Sequence, residues 1–196
     1  MALIGAGEQA ALQLQALRLV RPVDEVRVWA RDGQKAKAFS VELARSTGLS
    51  VTMCPDIDSA MEGVDIAVTC TPSREPLIEA RHLHPGLHIT AMGSDAEHKN
   101  EISPQALAAV DRYVADRLSQ TRVLGELHHA LAAGAVRDES ALAELGQVLA
   151  GQRPGRTDEA QVTLCDLTGT GAQDTAIANL AFERARAAGK GYPFGR

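Results

Sequence analysis

Two kinds of residue in this 196-residue chain have types and spacing suited to chemistry. The first is a glycine turn. "ALIGAGEQAA" carries Gly5, Gly7 and Ala10 as G-x-G-x-x-A, directly after a strand-like run and at the start of a helical one. Gly5 permits a tight turn, Gly7 lets the backbone approach a pyrophosphate, and Ala10 allows a helix to pack closely on a sheet. The N–H groups around Ala6, Glu8 and Gln9 then offer phosphates the positive end of a helix. A turn that merely joins strand to helix is the plainer alternative. The second is a carboxylate, Asp95 in "AMGSDAEHKNEI", which projects after a strand where it suits proton transfer beside a nicotinamide ring. A helix cap or turn residue is the alternative for Asp95.

The cofactor's ribose is read at the end of the second strand, where NAD binders carry an acid and NADP binders often supply Arg. In "VRVWARD" Ala30 stands in the acid's place, followed by Arg31 and Asp32, while Asp24 and Glu25 lie at the other end. This favours NADP(H) over NAD(H), with Arg31 reaching the 2′-phosphate or stacking on adenine. Arg31 as a solvated loop charge and Asp32 as a partner of a ribose hydroxyl remain open.

Positioning such groups requires a sheet whose strands all end on one side. "ALIGAG", "EVRVWA", "VDIAVTC", "LHITAM" and "RYVADR" read as strands and alternate with helical patterns, which predicts a doubly wound, Rossmann-type parallel α/β sheet covered on both faces. Ala10, Leu14 and Leu17 recur at the helical period, as do Ala36, Phe39 and Leu43. The loops "TCTPSREPL" and "AMGSDAEHKNEI" follow the strands "VDIAVTC" and "LHITAM", at carboxyl ends where open α/β sheets bind ligands. This brings Thr71, Pro72, Ser73 and Met92 to the cofactor; Pro72 and Pro76 stiffen the first loop and Gly93 frees the second.

Beyond Leu118, "LSQTRVLGELHHALAAGAV" and "ESALAELGQVLAGQ" read as helical, "AQVTLCDL" as a strand and "QDTAIANLAFERARAAGKG" as a long helix. "GQRPGR", residues 151–156, interrupts both periods and is the best linker. The expected division is a dinucleotide-binding domain over 1–150 and a C-terminal strand and helix over 151–196.

Composition narrows the partners. The net charge is −5, basic residues are scattered among acids, and there are only one Trp, two Tyr and three Phe, so no nucleic-acid stripe or stacking platform is expected. No apolar run approaches the ~18 residues that span a bilayer, and no leader pattern is present, so a soluble, cytoplasmic protein without a membrane partner is expected. Cys54, Cys70 and Cys165 lack paired spacing, and His82, His84, His128 and His129 lack a neighbouring ligand cluster, so no metal is expected.

The ordered series "IGAGEQA", "VWARD", "VTCTPSREPL", "MGSDAEHKNEI", "VLGELHHAL", "ELGQVLAGQRPGR" and "DLTGTGAQD" resembles the ornithine cyclodeaminase/mu-crystallin family over residues 2 to about 190, most like its ectoine-utilisation members. The resemblance implies a Rossmann domain joined to a second domain, built mainly by the N-terminal part of the chain, that makes the homodimer contact and binds the substrate carboxylate. That domain is expected to be missing here; a natural start at Met1 is the alternative. The resemblance also implies a small amino acid as substrate. Hydride leaves the α-carbon of ornithine, the side-chain amine closes the ring with loss of ammonia, and the hydride returns. It gives Asp95 the acid/base role, puts Lys99 near the cofactor, and places Thr168 and Gly169 in the substrate pocket, for which a tight strand-to-helix turn is the alternative. A reductase of cyclic imines, an amino-acid dehydrogenase and a non-catalytic NADPH-binding protein are the other functions it allows.

Overall fold

The computed structural model describes residues 1–192 and Phe194. In chain order the elements are β1 (Ala2–Ile4), α1 (Glu8–Arg18), β2 (Glu25–Trp29), α2 (Gly33–Thr47), β3 (Ser50–Met53), α3 (Ile57–Met61) and β4 (Ile66–Thr69). A single 3₁₀ turn (Ala80–His82) leads to β5 (His88–Ala91), α4 (Pro104–Ala109), β6 (Arg112–Ala115), α5 (Leu118–Thr121) and α6 (Gly125–Ala132). The chain continues through β7 (Ala143–Glu144), α7 (Leu145–Leu149), β8 (Thr163–Asp166) and α8 (Gly171–Ala187). All eight strands form one parallel sheet in the order β3-β2-β1-β4-β5-β8-β6-β7.

The order explains where the helices go. From β1 the chain steps outward through β2 to β3, then returns to β4 and steps the other way to β5 and β6. Right-handed crossovers therefore put α1 and α2 on one face and α3, the 3₁₀ turn and α4 on the other. The apolar spacing agrees. Ala10, Leu14, Ala36 and Leu43 are buried with Leu3, Val26, Val28 and Val68, and Leu17 and Phe39 pack at that core's edge. Ala60, Met61, Ile78, Leu107 and Leu127 join Ile4, Ile89 and Leu164 in the second core.

Three expectations are corrected. Coverage of both faces is incomplete: beneath β5, β8 and β6, His88, Thr90, Arg112, Val114 and Cys165 line a cavity of about 1250 Å³ between α1 and α7. Both steps away from β4 send their helices to the opposite face, which leaves this half uncovered. The helix read over 139–152 is only α7, because Ala143 and Glu144 pair with Val114 and Ala115 as β7. "GQRPGR" is docked rather than a spacer: the Arg156 guanidinium donates to the carbonyls of Gly86 and Leu87 and to Thr163 Oγ1 at 2.9–3.2 Å.

The division at residue 150 does not follow the sheet, since β8 is inserted between β5 and β6. α8 differs from β8 in that every residue is exposed or nearly so, Ile177 and Phe182 by 66% and 65%. Pro193, Gly195 and Arg196, at the end of the 151–196 segment, lie outside the described residues. Among the described residues no helix is long and apolar enough to cross a membrane.

Candidate functional site

The direction of the crossovers reverses between β1 and β4, and that switch point is where an open sheet of this kind leaves a crevice at the carboxyl ends of its strands. The turn after β1 occupies it. Gly5 N donates to the Trp29 carbonyl at 2.8 Å and Cys70 N to the Ile4 carbonyl at 2.9 Å, so the turn is tied to both neighbouring strands. Gly5 has φ +128°, and a Cβ there would stand 2.9 Å from the Cys70 carbonyl oxygen. Only glycine satisfies both conditions. Gly7 is the N-cap of α1 with ordinary extended backbone, and a Cβ on it would meet nothing within 4 Å. Glu8 and Gln9 open the first turn in solvent, and Ala10 is fully buried against the sheet.

At the end of β2, Trp29 is half-buried and Arg31 exposed. Asp32 is the N-cap of α2: its Oδ1 accepts from Gln34 N at 2.9 Å and Lys35 N at 3.1 Å. Among the described residues Arg31 forms no ion pair.

The loops after β4 and β5 meet at one side chain that the motifs did not single out. Glu101, fully buried, accepts at Oε1 from Thr71 N (2.6 Å) and Thr71 Oγ1 (2.7 Å), and at Oε2 from Thr69 Oγ1 (2.7 Å) and Gly93 N (2.8 Å). Burial raises its carboxyl above the usual range, against the opposing pull of these hydrogen bonds. Gly93 is glycine because a Cβ would overlap the Thr71 carbonyl and the Glu101 carboxylate. Met92 N bonds the Thr69 carbonyl at 3.0 Å, and Asn100 N bonds the Ser73 carbonyl at 2.9 Å. Pro72 lies between the two anchored residues Thr71 and Ser73.

Two more buried acids stand behind Glu101. Glu126, on α6, accepts from Glu101 N, Ile102 N and Asn100 Nδ2 at 2.7–3.2 Å. Asp166, at the end of β8, accepts from Tyr113 Oη (2.7 Å), Glu126 N (3.0 Å) and Leu127 N (3.1 Å), so it anchors the first turn of α6. Burial pushes Asp166 up to about 7 and Glu126 well above the carboxylate range. The residues expected from sequence sit on this frame. Asp95 is half-exposed beyond β5 and ion-paired with Lys99 Nζ, whose carbonyl accepts from His129 Nε2 at 2.6 Å. Thr168 and Gly169 form the turn between β8 and α8, where Asp116 accepts from both backbone N–H groups at 2.8 Å. Gly169 has φ +85°.

The sheet order therefore brings the turn at 5–9, the loops at 71–73 and 92–99 and the turn at 168–169 to the carboxyl ends of β1, β4, β5 and β8, three adjacent pairs. Glu101, Glu126 and Asp166 were present in the recognised motifs "MGSDAEHKNEI", "VLGELHHAL" and "DLTGTGAQD", but their spacing gives no sign of their burial. Among the described residues no group of three His, Cys, Asp or Glu is placed to hold a metal. His82 instead joins Asp58 at 2.6 Å and the Glu79 backbone N–H at 2.9 Å.

Comparison with known proteins agrees with this geometry. A putative dehydrogenase of Rhizobium meliloti is 57% identical over 98% of this chain and 58% of its own. An uncharacterised cyclodeaminase of Sinorhizobium fredii is 54% identical over 93% and 55%, respectively. The solved archaeal alanine dehydrogenase dimer with bound NAD superposes with TM-score 0.91 at 34% identity, covering 98% of this chain and 59% of that one. The chain thus spans a little under three fifths of the length of these relatives. The ornithine cyclodeaminase/mu-crystallin family model matches residues 1–189, and this chain belongs to that family.

Proposed function

We propose that this chain is the cofactor-binding portion of an NAD(P)-dependent enzyme that handles a small amino acid at its α-carbon, in the manner of an ornithine cyclodeaminase. The observation that carries the reading is the turn after β1. Gly5 holds a conformation and a closeness to Cys70 that require glycine, while Gly7 leaves open space in front of the N-terminus of α1. A tight turn followed by an unobstructed helix start fits a dinucleotide pyrophosphate.

Gly5, Ala6, Gly7, Glu8 and Gln9 would hold the pyrophosphate, and Thr71, Pro72, Ser73, Met92 and Lys99 would flank the nicotinamide half. The bound cofactor supplies hydride acceptance and donation. Asp95, ion-paired with the Lys99 ammonium, takes and returns the protons of the attacking amine and departing ammonia. Thr168 and Gly169 line the substrate side. Asp32 is committed to capping α2 and Ala30 has no acid, which leaves Arg31 for a 2′-phosphate and favours NADP(H). The family resemblance assigns substrate positioning and homodimer contact to the part of the relatives that this chain does not span, so the chain alone is expected to bind cofactor but to turn amino acids over poorly.

A second reading, amino-acid dehydrogenase or cyclic-imine reductase, uses the same residues with net oxidation or reduction, and the similarity to alanine dehydrogenase favours it. Titration of Trp29 fluorescence with NADPH and NADH tests the cofactor assignment: saturable binding is expected, tighter for NADPH, and Arg31→Ala removes the difference. No saturable binding of either would sink the reading. In an intact relative carrying this segment, ammonia release from ornithine without net NAD(P)H change separates the cyclodeaminase from the reductase.

A further inference from the structure

We propose that Glu101 is the positioning residue of this site. Its single buried carboxylate clasps the loop after β4 to the loop after β5, and so fixes Thr71 and Asp95 relative to each other and to the cofactor; the last step rests on the dinucleotide reading above. Each oxygen takes one backbone N–H and one threonine hydroxyl: Thr71 N with Thr71 Oγ1 on Oε1, Gly93 N with Thr69 Oγ1 on Oε2. The threonine hydroxyls can turn to become acceptors, but the backbone N–H groups of Thr71 and Gly93 cannot. The clasp therefore needs two acceptor oxygens at once, one for each loop, and only a carboxylate provides them.

The side chain is held in place from behind. Its own backbone N–H and that of Ile102 are bonded to Glu126, and the Glu101 carbonyl accepts from Leu77 N and Ile78 N at 2.7 and 2.9 Å. The absence of a side chain at Gly93 is the complementary half of the device, because any Cβ there would displace the carboxylate. Two residues after Gly93 stands Asp95, and two residues after Thr69 stands Thr71. A shift at either end of the clasp is thus carried directly to a group of the site.

Glu101→Gln makes the requirement visible. Whichever way the amide is turned, its NH₂ faces a backbone N–H, either of Thr71 or of Gly93, and one loop is released. Two readouts are taken on the purified chain, with Leu107→Ala as a control that opens a cavity in the core under α4 without touching either loop. By NADH titration, E101Q is expected to raise Kd at least tenfold, while L107A changes it less than twofold at a comparable loss of Tm. By amide hydrogen exchange without cofactor, E101Q is expected to speed exchange at residues 69–73 and 92–95 selectively, while L107A does not.

Equal Kd values for the two variants, or exchange in E101Q that rises evenly across the chain, would overturn the clasp. If the wild-type chain itself binds no NADH, the dinucleotide reading has failed and the exchange pattern alone decides whether the two loops are joined. Should E101Q fail to fold, Thr69→Val removes one hydroxyl from Oε2 and leaves both backbone bonds. It is expected to raise Kd about threefold with exchange confined to the same two loops, and an unchanged Kd and exchange pattern would count against the clasp.

Discussion

The turn after β1 and the loops after β4 and β5 lie next to one another at the same end of the sheet, and they are held by different means. The turn is made by backbone: two main-chain bonds to neighbouring strands and a glycine that nothing else can replace. The loops are made by side chains. Glu101 joins them, Glu126 holds Glu101, and Asp166 holds the helix that carries Glu126. A backbone device fails when a Cβ is added, whereas a carboxylate device fails when an acceptor is lost. The two regions should therefore respond to different perturbations.

The largest expected effect separates the two glycines of the turn. Gly5→Ala forces a side chain into φ +128° and against the Cys70 carbonyl, and should destabilise the chain by about 3 kcal/mol with loss of dinucleotide binding. Gly7→Ala meets no protein atom and loses only the N-cap preference for glycine over alanine, so it should cost no more than about 1 kcal/mol while dinucleotide affinity falls. Denaturant melts and cofactor titrations on the pair check this. Equal destabilisation by both would mean that the turn is not held by the contact with Cys70.

The acid side is next in size. Glu126→Gln replaces an acceptor facing two backbone N–H groups and one Asn amide with a group that is half donor, and should cost about 2 kcal/mol. The same substitution at exposed Glu8 should have an effect near zero. A melt in which E126Q matched the parent would remove Glu126 from the frame.

These two regions also differ in how far the sequence revealed them. The G-x-G-x-x-A pattern was legible because the demands of a tight turn and a close helix fall on neighbouring residues, and Ala10 is buried as the pattern requires. The doubly wound parallel sheet followed from alternation of strands and helices, and the order of its strands came with the structure. The acids could not be read, because Glu101 meets Thr69 across 32 residues and Asp166 meets Glu126 across 40. In a sequence such acids resemble solvated charges, which is what Asp and Glu usually are. The same limit explains residues 139–152. Their apolar spacing suits a helix, but β6 has an open edge that recruits Ala143 and Glu144 as a strand, and pairing overrides local preference.

A proton should distinguish the regions with a smaller, graded effect. Asp166 titrates near 7 in the folded chain against 3.8 for an ordinary Asp. Between those values the folded form holds a proton that the unfolded form has released, so stability is greatest at low pH and falls as pH rises through about 7. Glu101 and Glu126 are shifted in the same direction. His88, lowered to about 4 from 6.5 by burial, gives the opposite slope, but only below 6.5. From pH 6.5 to about 8 Asp166 works against the Met1 amino group, which burial lowers from 8.0; the fully buried acid should prevail, and unfolding free energy should decline across that interval. Asp166→Asn should flatten the decline, and a stability that climbed over the same interval would contradict the burial of these carboxylates.

The smallest effect tests a carboxylate outside the relay. Asp32 also accepts two backbone N–H bonds, yet it is exposed and its partners are the first N–H groups of α2. Water can replace it there, so Asp32→Ala should cost about 1 kcal/mol, the ordinary value of an N-cap, and should not alter the pH dependence above 6.5. Asp32→Asn keeps an acceptor oxygen at the cap and should lose only a few tenths of that. If instead D32A cost as much as E126Q, exposure would not be what separates a cap from a clasp. If D32A also weakened NADPH binding more than tenfold while D32N did not, the carboxylate position would be serving the ribose after all, and the case for Arg31 as the sole reader of a 2′-phosphate would give way.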